Sequence, residues 1–233
     1  MKIKRFLNRF GYDVKKYRST IDTTIRPLGI QTIIDIGANM GHYARDMRKL
    51  FPEAQIYSFE PLSDCFKSLE NEMRGDARFK AFNTALGESK GEATINRSSF
   101  HPSSSLLPMS AIHKKLYPKS ANSVSEKIRI ERLDDVLKNE ALAPGILIKM
   151  DVQGFEDKVI GGAKETLGRA DVAVIETSYV PLYENQPLFD DIYMLMRGLG
   201  FSYYGDMARH YSKENDRLVY EDSIFIKKKS IKI

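Results

Sequence analysis

The sequence predicts an α/β protein: a doubly wound, mostly parallel sheet of about seven strands with an antiparallel hairpin at one edge. Three observations predict it. Short apolar runs alternate with helix-compatible segments along most of the 233 residues. The first run, Thr32–Ile36, stops at a glycine turn, Asp35-Ile36-Gly37-Ala38-Asn39-Met40-Gly41, and a helical segment follows. Polar residues (Asp35, Glu60, Asn83, Asp151 and Glu176) stand at successive strand exits, the edge of an open α/β sheet where ligands bind.

Taken in order, residues 1–29 read as a basic helical lead-in and residues 30–233 as the main domain. Strand one is 32–36, and a helix over about 42–50 is closed by Phe51-Pro52. Strand two is 55–59, ended by Glu60-Pro61; a helix capped at Ser63 runs to about 73, and Gly75 stops it. A third strand covers 79–82. Short alternating strands at 92–96 and 128–130 flank a Ser/Pro-rich stretch, 98–108, whose length predicts a substrate-side lid. A short helix at 132–137 follows. Strand 146–150 exits at Asp151, and one helix is expected from Gly154-Phe155 to about Leu167. Strand 172–175, helix 188–199 and strands 201–204 and 223–226 complete the sheet.

An apolar fraction of 42%, with 12 Phe and 12 Tyr, supports a sizeable core. A single cysteine, Cys65, excludes an internal disulfide and fits a reducing compartment; its helical setting predicts a packed small hydrophobe. No apolar run reaches the roughly 18 residues of a membrane span and no signal-peptide pattern is present, so a cytoplasmic protein is expected. The net charge of +5 is concentrated at the ends: Lys2, Lys4, Arg5, Arg9, Lys15, Lys16 and Arg18, then Lys227, Lys228, Lys229 and Lys232. Without an aromatic-interleaved basic motif, zinc pattern or recognition helix, specific nucleic-acid binding is not expected. Solvated tails account for the charge, as would peripheral contact with an anionic membrane surface through Ile3, Phe6, Leu7 and Phe10.

The glycine turn lacks both the third glycine of G-x-G-x-x-G and the Lys-Ser/Thr of a phosphate loop. It suits a ligand with a ribose and an adenine but no pyrophosphate, and S-adenosylmethionine (SAM) has that chemistry. Glu60, at the end of the second strand, sits where such folds bind the ribose hydroxyls; a carboxylate accepts from both at once.

The ordered set Asp35-Ile36-Gly37-Ala38-Asn39-Met40-Gly41, Phe59-Glu60-Pro61, Asn83-Thr84-Ala85-Leu86-Gly87, Ser104-Ser105-Leu106, Leu133-Asp134-Asp135 and Lys149-Met150-Asp151-Val152-Gln153-Gly154-Phe155-Glu156 resembles the FkbM family of SAM-dependent methyltransferases over about residues 30 to 180. The resemblance implies a Rossmann-like class I methyltransferase fold and methylation of a hydroxyl oxygen on a sugar, glycan or natural product, in a family found with polyketide and glycan biosynthesis. It places Asp35, Gly37 and Gly41, with Asn39 between them, on the methionine side of the cofactor, Glu60 on the ribose, Asn83 and Ala85 beside the cofactor, and Asp151 facing the transferring methyl. Many members carry Glu where this chain has Gln153.

Methyl transfer to an alcohol gains typically 10²–10⁴-fold from a base that takes the hydroxyl proton. Asp151 is the first candidate and His42, at the start of the first helix, the second. Lys149, two positions before Asp151, points to the same side of the strand and would steady its charge. A Mg²⁺ ion held by Asp151, Glu156 and Glu176 is an alternative way to acidify the hydroxyl. Two other readings stand beside catalysis: a SAM-fold binding module without turnover, and a nicotinamide-dependent oxidoreductase, which the missing third glycine disfavours.

Overall fold

The computed structural model describes residues 21–230. Most of the basic lead-in (1–20) and Lys232 therefore lie outside the described residues. The described chain opens with two short turns, Ile21–Ile25 and Arg26–Leu28.

The main sheet holds β1 (Thr32–Ile36), β2 (Gln55–Phe59), β3 (Phe79–Phe82), β7 (Ile146–Met150), β8 (Val172–Ser178), β9 (Phe201–Tyr211) and β10 (Leu218–Lys227). Its order is β3-β2-β1-β7-β8-β10-β9, with β10 antiparallel to both neighbours and the remaining pairs parallel. Strand order reverses between β1 and β7, so the two chain exits diverge there and leave a crevice above the sheet. The central parallel strands β1, β7 and β8 are buried on both faces, which is why they read as mostly apolar runs. Ile33, Ile56, Leu147, Val174 and Ile224 pack on one side beneath Ala44 and Met47 of α1 (His42–Leu50) and Leu69 of α2 (Ser63–Glu72). Ile34, Phe59, Ile148, Met150, Ile175 and Phe225 face the other side.

A second sheet, order β4-β6-β5, is built from β4 (Ala85–Leu86), β5 (Gly91–Ser98) and β6 (Ser123–Glu131). The short strands expected at 92–96 and 128–130 belong to it. Ala85, Ile95 and Ile128 close over Leu62 and Cys65, so one apolar face roofs the main sheet's carboxyl edge instead of extending that sheet. Cys65 is the packed small hydrophobe expected of it.

The stretch 98–108 is a fixed wall more than a lid. Asn96 and Ser105 exchange backbone bonds (2.8 and 3.2 Å), the Ser104 hydroxyl accepts the Ser98 N–H (3.1 Å), and the Ser105 hydroxyl donates to the Gln153 carbonyl (2.6 Å). Helix α3 (Ala111–Leu116), N-capped by Ser110, follows, and α4 (Leu133–Val136) comes after β6.

The single helix expected from Gly154-Phe155 to Leu167 is two: α5 (Glu156–Gly161) and α6 (Lys164–Arg169). Gly161-Gly162 carries the break, where helix propensity is lowest. The new N-terminus is capped from a distance: Asp134 accepts the N–H groups of Glu165 and Thr166 and the Thr166 hydroxyl at 2.7–3.0 Å. Asp134→Ala is expected to cost about 1–3 kcal/mol, seen as a fall in thermal midpoint at unchanged SAM affinity. An unchanged midpoint would remove the cap from the account.

Helix α7 (Phe189–Gly198) leads into the hairpin β9–β10, which is much longer than the 201–204 and 223–226 expected. Its outer halves carry charged residues that read as loop. Glu221 is nonetheless buried, accepting the hydroxyls of Tyr203 (2.7 Å) and Ser223 (2.8 Å). Lys227, counted from the sequence among the basic tail, turns inward and donates to the carbonyls of Leu199 (2.6 Å) and Leu167 (3.2 Å) at two helix ends.

Candidate active site

The turn after β1 sits between the ends of β2 and β7. The N–H groups of Gly37 and Ala38 both donate to the Phe59 carbonyl at 3.0 Å, and the Asp151 N–H donates to the Ile36 carbonyl at 3.0 Å. Gly37 has φ +80°, and a Cβ there would fall 1.9 Å from the Asp151 carbonyl oxygen. Two residues on, Asn39 (φ +48°) aims its N–H at Glu60 Oε2 (2.8 Å), while the Leu62 N–H takes Oε1 (2.8 Å). Glu60 is thus fixed by two backbone donors, and each of its oxygens keeps a lone pair for a further hydroxyl.

Gly37, Asn39, Glu60, Ala85 and Asp151 all line one cavity, with Leu62, Leu86, Ile95 and Phe155 among its apolar walls and Ser104–Leu106 at its rim. Among the described residues, the buried side-chain polar atoms without a partner include Asn39 Oδ1, on this turn, and Asp35 Oδ1, behind it in β1. The Asn39 acceptor left without a donor, a carboxylate with spare lone pairs and an apolar wall match the ammonium, ribose and adenine of SAM.

Burial pushes the Glu60 carboxyl up to about 7, against the pull of the Leu62 and Asn39 N–H groups. Only the ionised form accepts from both ribose hydroxyls. SAM affinity is therefore expected to strengthen about tenfold between pH 6 and pH 8, and Glu60→Gln to flatten that dependence. Calorimetry across this range checks it; a flat wild-type profile, or unchanged affinity in Glu60→Ala, would remove Glu60 from the ribose site.

Beside the cavity lies a charged cluster. Asp35 and Lys149 are register partners on β1 and β7, and the Lys149 ammonium donates to Asp151 Oδ2 at 3.0 Å and lies over the Tyr43 ring. Burial alone would lower the Lys149 ammonium, but Asp151 and Asp35 outweigh it and the group is held above its usual range. Asp35 is raised to about 6, by burial first, with Lys149 opposing and Asp151 adding. The Gln153 amide donates to Asp151 Oδ1 (2.7 Å) and to Glu176 Oε1 (2.9 Å). Burial, then Asp151, Glu156 and Asp222, hold Glu176 well above its ordinary range. Glu156 is raised to about 7 by burial although Oε1 accepts the N–H groups of Val152 (3.1 Å) and Gly154 (3.3 Å). The three proposed Mg²⁺ ligands are thus engaged elsewhere, and an N–H donor stands between Asp151 and Glu176 where a cation would sit.

Several residues expected at the site do not line the cavity. Asn83 is exposed and donates to the Glu60 and Pro61 carbonyls (2.9 Å each), stapling the ends of two strands; Thr84 and Ala85 line the cavity in its place. Gly41 makes room for Leu69, whose Cδ1 would lie 2.9 Å from a Cβ, so it packs α1 on α2 and does not line the cavity. His42 is exposed at the first position of α1, also outside the lining, which leaves Asp151 as the base candidate. Asp35 and Lys149 lie behind the lining, in contact with the site through Asp151. Tyr183 is fully buried and its hydroxyl meets the Gln153 side chain at 2.8 Å, a contact that no spacing in the sequence announces.

The FkbM methyltransferase domain matches residues 35–203, from the glycine turn to the start of the hairpin. The chain belongs to the FkbM methyltransferase family. It is 31% identical to 2-O-methyltransferase NoeI of Sinorhizobium fredii over 74% of this chain and 73% of that one. It is 23% identical to the 31-O-demethyl-FK506 methyltransferase FkbM of Streptomyces tacrolimicus, over 73% and 72%. Among solved structures, WbdD in complex with a kinase inhibitor superposes with a TM-score of 0.50 at 12% identity, covering 89% of this chain and 38% of that one, a likeness of fold alone. Membership makes this FkbM chain a SAM-dependent O-methyltransferase and sets aside the nicotinamide oxidoreductase reading. Among the described residues, no helix is long and apolar enough to cross a membrane.

Proposed function

We propose that this FkbM-family enzyme methylates an uncharged hydroxyl of a sugar or sugar-bearing natural product, with Asp151 as general base, in cytoplasmic glycan or polysaccharide assembly. The observation that carries the reading is the placement of Asp151. It is half-buried on the cavity wall, with one oxygen on Lys149 and the other on Gln153. Bound SAM supplies a methyl group already activated on a sulfonium. Asp151 takes the acceptor's hydroxyl proton as the oxygen attacks, which is what an alcohol nucleophile requires. Lys149 stays protonated, fixes the carboxylate and balances its charge. Leu62, Leu86, Ile95 and Phe155 keep water from the reacting atoms.

The acceptor's charge follows from the same neighbourhood. Glu176 and Asp222 are cross-strand partners on β8 and β10, and both are held up by burial first and then by the charge of Asp151. Lys149, the cation beside them, is committed to Asp35 and Asp151. These acidic groups beside Asp151, with the nearby Lys149 ammonium already paired, offer a phosphate or carboxylate nothing to pair with and suit a neutral polyol. The names of NoeI and of the Streptomyces enzyme, both acting at oxygen, agree. The basic ends, Lys228 and Lys229 with the outlying lead-in, would hold the enzyme near an anionic membrane surface where such acceptors are assembled.

Labelled methyl transfer from SAM to neutral methyl glycosides and oligosaccharides, set against their phosphorylated counterparts, tests the reading. At least a tenfold preference for the neutral set is expected. Preference for the phosphorylated set would overturn the acceptor class, and SAM binding without transfer to any pool would favour the binding-module alternative.

A further inference from the structure

The reaction as described leaves Gln153 without a task, yet its geometry is the most constrained at the site. It is a non-glycine residue with φ +56°, a left-handed conformation that costs a residue carrying a Cβ. Its carbonyl accepts the Ser105 hydroxyl at 2.6 Å. Its two amide hydrogens go to Asp151 Oδ1 and Glu176 Oε1, and its oxygen faces the Tyr183 hydroxyl at 2.8 Å. That hydroxyl, fully buried, also lies 3.1 Å from the Ser103 carbonyl. Only a carboxamide donates twice and accepts once in this way; a carboxylate has no hydrogen to give, and a thioether has none either.

We propose that Gln153 is the positioning residue of methyl transfer: its amide aims Asp151 into the cavity and separates it from Glu176, with Tyr183 and the Ser103–Ser105 wall holding the amide in register. The proposal rests on Asp151 being the base. It explains why the strained turn at 153 is tied to the cavity wall at both its backbone and its side chain: the surface that borders the cofactor cavity and the group that takes the proton become one rigid unit. It also explains why an amide, and not a carboxylate, suits position 153. With Glu at 153, three carboxylates would meet with no hydrogen between them, and like charges in contact force one to hold a proton.

Glu176 is the reporter. Facing it are Asp151 and Lys149 from the end of β7, Glu156 from α5, Asp222 and Tyr220 from β10, and Tyr117 and Tyr183 from the connecting segments. Hydrogen bonds to the ionised form stabilise it, so removing the amide donors moves its titration upward. The experiment is carbon-13 NMR of side-chain carboxyls in the full chain, wild type against Gln153→Met, with SAM affinity measured alongside. The Glu176 midpoint is expected to rise by about one to two pH units, the worth of one hydrogen bond to a charged group, with SAM affinity within about twofold. Tyr183→Phe, which frees the amide from its far end, should shift it in the same direction by at least about half a unit, and decides the matter if Gln153→Met does not fold. An unmoved midpoint overturns the proposal. With an acceptor from the labelling panel, Gln153→Met should lower kcat at least tenfold at nearly constant KM for SAM; a change confined to KM would make Gln153 a cofactor contact instead. Failure of wild-type SAM binding would count against the cofactor reading and leave the titration result standing on its own.

Discussion

Asp151→Asn should lower turnover by about 10²–10⁴-fold, roughly 2.7–5.4 kcal/mol, while SAM affinity stays within about threefold. The substitution keeps shape and removes basicity. The position keeps its neighbours: Gln153 still has an oxygen to donate to, and Lys149 keeps Asp35 across the strand pair. The carboxylate's proton affinity is lost, so the hydroxyl must attack with its proton in place. Rapid-quench turnover with calorimetry on the same preparation separates the two terms. A variant that transfers methyl at the wild-type rate and merely binds SAM less well would reassign Asp151 to cofactor positioning.

Gly37→Ala is expected to be the most damaging small substitution in the chain. The new Cβ would enter a backbone region that L-residues avoid and would also lie 1.9 Å from the Asp151 carbonyl oxygen, a backbone atom that cannot move without breaking the bond from Asp151 N–H to Ile36. Relief would require parting β1 from β7 at the place where cofactor and base meet. A loss of at least about 3 kcal/mol follows, or roughly 6–12 °C in thermal midpoint for a chain of this size, together with loss of SAM binding. Circular dichroism melting checks the first and calorimetry the second. A folded variant that binds SAM normally would show that the turn opens away from Asp151 in solution.

Much of this architecture is legible in the sequence, for a physical reason. β1, β2 and β7 are buried central strands and β3 a half-buried edge strand, and each run ends at Gly or a polar residue, so their bounds at 32–36, 55–59, 79–82 and 146–150 read directly. The hairpin is not legible to its full length: Arg209 pairs with Asp206 on its own strand and with Glu221 across the hairpin, and a charge paired in this way looks the same in sequence as a charge in a loop. The break between α5 and α6 is hidden for a similar reason, since its cap, Asp134, lies more than 30 residues away. At the site, Gly37, Glu60, Ala85 and Asp151 are legible because a strand exit fixes where a residue stands. It does not fix where the side chain turns, and so Asn83, standing at such an exit, points elsewhere, as does His42 at the start of α1. The pairing of Tyr183 with Gln153 has no local signal; it spans 30 residues, and only the folded chain brings the two together.

The measurement that tests the central claim most directly is transfer of labelled methyl from SAM to the neutral sugar panel, followed by alkaline treatment of the product, for wild type and Asp151→Asn together. An ether is stable to base and a methyl ester is not. The account predicts a base-stable product from the wild type and at least a hundredfold less of it from the variant. A base-labile product, or equal yields from both proteins, would contradict it.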